Sequence, residues 1–193
     1  MYEKSFTTIA DILEAARTLF VSNSYDDITM RQIAQEANVT KGAIYHHFKS
    51  KEELFLRMLA EYLENLQDLL REAVEQAGSA RGRLTHLTAL YLERPLIFQR
   101  TIQLVRRDNN RFTGAARDGL ITAYHNALPN QIETIISDGM AAGEIKSGDA
   151  RIFAWQFIAI VEACLSDYAR QRFDSPQAMA AYLADVFFDG IGV

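Results

Sequence analysis

Residues 29–53 read TMRQIAQEANVTKGAIYHHFKSKEE and contain the starts of two short helices and of a third, longer one. Thr29 and Gln32 have the spacing of a capping box, in which a hydroxyl and an amide side chain satisfy the first free N–H groups of a helix. Asn38 tolerates the left-handed conformation that ends a helix, and Thr40 is a residue type that caps the next one. A helix, a four-residue turn and a second helix predict a helix-turn-helix, whose second helix enters the DNA major groove.

The predicted second helix has the chemistry of a DNA-binding helix. No acidic residue lies between residues 37 and 50. A glycine there allows close approach to a phosphate chain, and lysine, tyrosine and histidine side chains contact phosphates or base edges. We predict that DNA is contacted by Thr29, Arg31, Thr40, Lys41, Gly42, Tyr45, His46 and Lys51.

This stretch resembles the DNA-binding domain of the TetR family of bacterial transcriptional regulators. The resemblance covers roughly residues 7–55 and its spacing is specific. The matching residues are Thr29, Ile33, Ala34, Ala37, Val39, Lys41, Gly42, Ala43, Tyr45, His47, Phe48, Lys51, Leu54 and Phe55.

The rest of the chain predicts an all-α fold. Apolar residues make up 49% of the 193 residues, and apolar positions recur at three- and four-residue steps with no sustained alternation. We predict about nine helices, the longer ones over residues 7–22, 51–77, 80–93, 111–142 with a break at Pro129, 150–172 and 176–190.

We predict two domains. Residues 1–50 form a three-helix, helix-turn-helix DNA-binding domain, and residues 51–193 form a helical regulatory and dimerisation domain. The helix that starts at residue 51 is long enough to connect the two, at roughly 40 Å.

The net charge of −5 lies beyond residue 51, because residues 1–51 contain equal numbers of acidic and basic side chains. Attraction to DNA therefore depends on where the basic groups lie and not on total charge.

The lone cysteine, Cys164, fits a reducing compartment. The N-terminus lacks a hydrophobic signal core, and no apolar run is long enough to span a bilayer. We therefore expect a cytoplasmic protein without membrane contact.

The last two predicted helices are apolar around most of their circumference, which is typical of helices buried on more than one face. The resemblance implies that they pair with their copies in a second subunit, whereas ordinary core helices in a monomer are the alternative. The predicted homodimer interface contains Phe153, Met179, Tyr182, Val186 and Phe187.

Four arginines, at positions 100, 106, 107 and 111, lie near the end of one predicted helix. They form either a solvated face or the entrance to an apolar cavity for a ligand with phosphate or carboxylate groups, such as an acyl-CoA. The small-molecule ligand itself is implied by the resemblance. The predicted cavity residues, most of which also suit a core, are Phe98, Ile102, Val105, Arg106, Ile121, Tyr124, Phe157 and Val161.

The sequence predicts no enzyme, no cofactor and no metal site. It lacks a glycine-rich phosphate loop, an HExxH motif and a nucleophile elbow, and the adjacent His46 and His47 point in different directions from a helix. The resemblance implies a repressor that a small molecule releases from its palindromic, double-stranded operator, although some relatives activate. The alternatives are a DNA-binding architectural protein without a ligand and a helical enzyme with an appended DNA-binding domain.

Overall fold

The computed structural model describes residues 2–190, with side chains described from residue 8 onward. Within this range the chain consists of α-helices, two single 3₁₀ turns and short connections, so the all-α prediction is confirmed. The helices are α1 (Tyr2–Ser22), α2 (Met30–Glu36), α3 (Lys41–His47), α4 (Lys51–Glu75), α5 (Ala80–Leu92), α6 (Leu96–Asp108), α7 (Gly114–Ala127), α8 (Pro129–Ala141), α9 (Ala150–Ala163), α10 (Asp167–Arg170) and α11 (Pro176–Asp189). The 3₁₀ turns span Tyr25–Asp27 and Asn109–Arg111.

The chain divides into two compact units, and the first contains residues up to Leu63 together with Leu96–Ala123. In this unit α1 packs against α2 and α6, and α2 packs against α3. Among the apolar residues that recur at helical spacing in α1, Ile12 and Phe20 are fully buried. We call α1–α3 the head, because they form the predicted three-helix domain.

An aromatic cluster fills the region where α1, the first 3₁₀ turn and α4 meet. The ring of Phe55 contacts Phe20 edge-on at 4.8 Å, Tyr25 edge-on at 5.0 Å and Phe112 by stacking at 5.7 Å. Such pairs contribute beyond the apolar area that they bury. Burial disfavours the phenolate and thereby raises the pKa of Tyr25.

The second unit contains Glu64–Pro95 and the chain from Tyr124 onward. Here α5 packs against α8 and α11, and α9 packs against α8 and α11. The α5–α8 contact is close, since a Cβ added at Gly139 would lie 2.6 Å from the Cβ of Ala80.

An ion pair joins the start of α5 to the end of α11. The Arg81 guanidinium bonds to Asp185 at 2.7 Å and to Asp189 at 2.6 Å. Its hydrogen bond to Asp189 holds the pKa of that carboxyl below its ordinary value.

Two predicted helices differ from the structure in extent. The predicted helix over residues 111–142 is two helices, with Pro129 in the first turn of the second, as its fixed φ and missing N–H favour. The predicted helix over residues 150–172 was too long, because α9 ends at Ala163. Ser166 then accepts a hydrogen bond from the Ala169 N–H and starts the separate helix α10.

The compact units do not follow the predicted domain boundary at residue 50. Helix α6 and the first part of α7 belong to the same unit as the head, and α4 is shared, with Leu63 in the first unit and Glu64 in the second. The division into a DNA-binding and a regulatory domain stays a prediction about function.

Candidate nucleic-acid interface

Local hydrogen bonds position both helices of the helix-turn-helix. Thr29 Oγ1 accepts from the Gln32 N–H at 3.2 Å, and the Thr29 N–H donates to Gln32 Oε1 at 2.8 Å, which confirms the capping box. Thr40 Oγ1 accepts from the Ala43 N–H at 3.1 Å and caps α3. These contacts lie within three residues of sequence, so the sequence alone determines where α2 and α3 begin.

The turn between the two helices has the predicted left-handed residue. Asn38 has φ of 53°, and among the described non-glycine residues it is the one with a positive φ. The Val39 N–H donates back to Ala34 O at 2.9 Å across this turn. This closure allows α3 to pack against α2.

Helix α3 has one buried side and one exposed side. Ile44 is fully buried and Phe48, just after the helix, is nearly so, which confirms both as head core. Lys41, Gly42 and His46 are exposed, and Tyr45 is 47% exposed. The residues predicted to approach DNA therefore lie on the solvent side of α3.

The exposed side chains of α3 are close to one another. The Lys41 ammonium lies 5.9 Å from the centroid of the Tyr45 ring, at the outer limit of a cation–π contact. The rings of His46 and His47 meet at 5.0 Å. Arg31, on the preceding helix, is also exposed. The exposed side of α3 is therefore cationic and aromatic, and α3 contains no carboxylate.

Lys51 has an internal role that the sequence did not reveal. Its Nζ donates to Tyr25 O at 2.8 Å and to Ile28 O at 2.9 Å, and it lies 4.3 Å from the Tyr25 ring centroid. Lys51 thus connects the start of α4 to the chain between α1 and α2. One ammonium N–H remains for a phosphate, so the predicted DNA contact stays a prediction.

Ser50 and Glu53 also have the spacing of a capping box, and the start of α4 departs slightly from that pattern. Ser50 Oγ accepts from the Glu53 N–H at 3.0 Å as expected, but the Glu53 carboxylate accepts from the Lys49 N–H at 2.8 Å instead of from Ser50. The helix start still has both caps, and only Lys49 and Ser50 separate it from the buried Phe48. The head therefore continues into α4 through a short, hydrogen-bonded connection.

The residues predicted to bind a ligand are divided between the two units, so their assembly into one site stays a prediction. The first unit contains Phe98, Ile102, Val105, Arg106 and Ile121, and the second contains Tyr124, Phe157 and Val161. Ile102, Val105, Tyr124 and Phe157 are buried, whereas Arg106 is exposed. Arg107 and Arg111, two of the four arginines of the predicted entrance, both bond within the protein to Asp108, and the entrance itself stays a prediction.

The predicted dimer residues differ in exposure. Met179 is only 3% exposed within its own unit, and its place in the interface stays a prediction. Tyr182 is half exposed, and Phe153, Val186 and Phe187 line a groove of about 580 Å³ in the second unit. Ile152 and Trp155, which were not among the predicted dimer residues, are 54% and 37% exposed on α9. A helix that is apolar all round gives no sequence signal for which face its own subunit leaves open.

No group of three or more His, Cys, Asp or Glu side chains is placed to bind a metal ion in the part of the chain that the structure describes. Among the described helices, none is both long enough and apolar enough to cross a membrane.

The fold and the interface define a helix-turn-helix DNA-binding regulator. Residues 12–58 match the family model described as bacterial regulatory proteins of the tetR family. The chain is 30% identical over 161 residues to the uncharacterized HTH-type transcriptional regulator YhgD of Bacillus subtilis, covering 83% of this chain and 84% of that protein. The chain therefore belongs to the TetR family of transcriptional regulators, and the function predicted from the helix-turn-helix is confirmed at this level.

Two solved structures share the whole fold. The transcriptional regulator FadR from Bacillus subtilis, in complex with stearoyl-CoA, has a TM-score of 0.77 at 18% identity and covers 95% of this chain and 99% of that one. AibR, in complex with isovaleryl coenzyme A and operator DNA, has a TM-score of 0.78 at 18% identity, covering 94% and 98%. At these identities the likeness establishes the fold.

Proposed function

We propose that this regulator is a repressor that binds a palindromic operator as a homodimer and releases it when a small apolar or amphipathic molecule binds. The observation that carries the DNA-binding part is the surface of α3, where Lys41, Tyr45 and His46 are exposed without a carboxylate while Ile44 faces inward. A helix with one buried and one cationic side suits the major groove.

Each exposed side chain has a role that its chemistry supports. Lys41 and His46, with Thr40, lie nearest to the base edges, where an ammonium or an N–H recognises guanine O6 and N7. Tyr45 and Lys51 fix the helix on the phosphate backbone. A Cβ added at Gly42 would meet Thr40 Oγ1 at 3.8 Å, an ordinary contact. The fold itself therefore does not require glycine at position 42. This supports the proposal that Gly42 allows the backbone to approach DNA closely.

The DNA-binding proposal can be tested on an operator selected from random duplexes with the wild-type chain. Lys41→Ala should weaken binding to the selected operator more than binding to random duplexes, because Lys41 is placed at the base edges. Lys146→Ala, which removes an exposed lysine of the second unit, is the matched control and should leave the affinity for both kinds of duplex unchanged. Equal operator affinities for the two variants would count against α3 as the DNA-contacting helix.

Gly42→Ala gives a second test that separates binding from folding. Alanine favours helix over glycine by up to roughly 1 kcal/mol, so this variant should unfold no more easily than the wild type. Its operator affinity should nevertheless fall. Gly119→Ala has open space around the new methyl group and serves as the control. Operator affinity that is unchanged in Gly42→Ala would show that the backbone does not approach DNA at this point.

The homodimer is supported by apolar side chains that their own unit leaves uncovered. Ile152 and Trp155 are exposed at helical spacing on α9, and Tyr182 is exposed on α11. Exposed apolar patches mark association surfaces in water-soluble proteins. A helix-turn-helix reads two half-sites about one DNA turn apart only when two copies are held together.

An acyl-CoA is the ligand class that the comparisons favour. The structures of FadR with stearoyl-CoA and of AibR with isovaleryl coenzyme A share this fold over nearly their whole lengths. We extend that ligand class to this chain as a proposal, along with a cytoplasmic location and the absence of enzymatic activity. The predicted cavity residues Ile102, Val105 and Phe157 are apolar, as an acyl chain requires.

Stearoyl-CoA is the probe for the ligand proposal. By linkage, an inducer weakens operator binding and the operator weakens inducer binding by the same factor, typically about 5–150. Calorimetry should therefore give a lower stearoyl-CoA affinity in the presence of the operator. Equal affinities with and without operator would exclude this molecule as an inducer, however tightly it binds.

A further inference from the structure

Helix α6 ends at a buried carboxylate. Asp108 is 1% exposed, and its two oxygens accept hydrogen bonds from Arg107 Nε and Arg111 Nε, each at 2.8 Å. A buried carboxylate is strongly unfavourable unless it is paired and hydrogen-bonded. Here both oxygens have a guanidinium partner, so Asp108 fixes the directions of the two arginines.

Both arginines also bond to the chain that connects α1 with α2. Arg111 Nη1 lies 2.7 Å from the Asp26 carboxylate in the first 3₁₀ turn. Arg107 Nη2 donates to Phe20 O at 3.2 Å and to Asn23 O at 3.3 Å. The carbonyls at the end of α1 lack partners within the helix and favour a cation. We call Asp26, Arg107, Asp108 and Arg111 the α6 network.

The aromatic cluster lies next to this network. The Arg111 guanidinium carbon lies 5.5 Å from the centroid of the Tyr25 ring, which Lys51 Nζ approaches to 4.3 Å. One ring therefore contacts a cation at the end of α6 and a cation at the start of α4. The network and the ring belong to one compact unit.

We propose that Asp108 is a positioning residue that, through Arg107 and Arg111, holds the head at a fixed orientation to α6 and passes a movement of α6 to the helix-turn-helix. Asp26 and the end of α1 are the points at which the head receives this movement. The orientation itself depends only on contacts within one chain. Its use in operator release rests on the proposed function.

Asp108→Asn tests the proposal with little change of shape. The amide nitrogen that replaces one oxygen cannot accept from a guanidinium, so the variant loses one arginine contact and the charge. Spin labels at Glu36→Cys on α2 and Gln103→Cys on α6, both exposed positions, report the orientation when Cys164→Ser removes the native thiol. Labelled subunits are diluted in an excess of unlabelled protein, so that distances between the two subunits of a dimer do not contribute. We then expect one narrow distance distribution for the wild-type background and a broad one for Asp108→Asn.

Two further variants separate positioning from general destabilisation. Asp26→Asn removes only the exposed end of the network and should also broaden the distribution. Its circular dichroism spectrum should match that of the wild type and show that the variant is folded. Asp68→Asn is the matched control, because it removes an exposed carboxylate that pairs with Arg71 at 2.7 Å on α4, and its distribution should stay narrow. If Asp108→Asn fails to fold, Asp26→Asn decides the question. Narrow distributions in every folded network variant would overturn the proposal.

The regulatory part has its own readout. In the wild type, stearoyl-CoA should lower operator affinity by a measurable factor, and in Asp26→Asn that factor should fall towards one while stearoyl-CoA still binds. A wild type without any response to stearoyl-CoA would contradict the proposed ligand, and the distance distributions would still decide whether the α6 network positions the head.

Discussion

The Arg83 guanidinium donates a hydrogen bond to the Asp138 carboxylate at 2.8 Å and thereby joins α5 to α8. The same guanidinium donates to Val74 O and, at 3.4 Å, to Ala73 O, two carbonyls in the last turn of α4. The Arg83 side chain is buried, whereas that of Asp138 is 57% exposed. One side chain therefore caps the C-terminal end of the longest helix and fixes it to its neighbours in the second unit.

Removing the Arg83 guanidinium should lower the free energy of unfolding by more than removing an exposed guanidinium does. We expect Arg83→Met to lower the free energy of unfolding by about 1.5–3 kcal/mol, the range for hydrogen bonds to charged groups. Arg71→Met is the control, since Arg71 is half exposed and pairs with Asp68 three residues away. Its loss should stay within about 0.5 kcal/mol. Urea unfolding measures both, and equal losses would show that the Arg83 contacts contribute no more than a surface pair.

Lys51 should contribute to the stability of the head, because two backbone carbonyls depend on it. We expect Lys51→Met to lower the free energy of unfolding by about 1–3 kcal/mol, since Tyr25 O and Ile28 O lose a charged donor. Lys49→Met changes an exposed lysine nearby and should have little effect. Thermal unfolding of both variants without DNA measures the difference. If Lys51 serves DNA alone, the two curves will coincide.

Replacing glycine by alanine should have opposite effects on stability at Gly139, where α5 and α8 approach closely, and at Gly119, where there is open space. Gly139→Ala would place a methyl group 2.6 Å from the Cβ of Ala80, and neither helix backbone can yield easily. We expect a loss of about 1–3 kcal/mol from overpacking. Gly119→Ala has open space and should raise stability by about 0.4–1 kcal/mol. Calorimetric melting compares the two, and a stable Gly139→Ala variant would contradict the close packing.

The sequence predicted those parts of the structure that depend on neighbouring residues. The caps at Thr29 and Thr40 and the left-handed Asn38 need partners only a few residues away, so their residue types and spacing were sufficient. The sequence around Lys51 predicted a phosphate contact. The carbonyls that Lys51 contacts, Ile28 O and Tyr25 O, are 23 and 26 residues away. Composition gives no signal for such a contact.

The α6 network and the exposed face of α9 were missed for related reasons. The sequence did not show that Arg107 and Arg111 contact the head, because Phe20 O, which Arg107 contacts, is 87 residues away and Asp26, which Arg111 contacts, is 85 residues away. On α9, apolar residues occur on every face, so periodicity did not show that Ile152 and Trp155 are left open. The helix predicted over residues 150–172 was also too long. Its apolar pattern continues past Ala163, although Ser166 caps a new helix there.

The exposed face of α9 leads to a prediction about assembly. Ile152 is 54% exposed, so Ile152→Glu should leave each subunit folded, whereas Glu at this position in a dimer interface would lose its water without gaining a partner. A penalty of about 3 kcal/mol or more raises the dimer dissociation constant by roughly 100-fold or more. Operator affinity should fall with it, because two half-sites then require two separate binding events.

Trp155 makes this measurable, since it is the only tryptophan in the chain and lies one helical turn from Ile152. Its fluorescence emission should shift to longer wavelength when the wild-type dimer is diluted, and Ile152→Glu should show the shifted emission at every concentration. Gln103→Glu adds the same charge at an exposed position of α6 and should behave as the wild type does. Sedimentation gives the masses directly. A folded Ile152→Glu dimer with wild-type operator affinity would rule out this face of α9 as the interface.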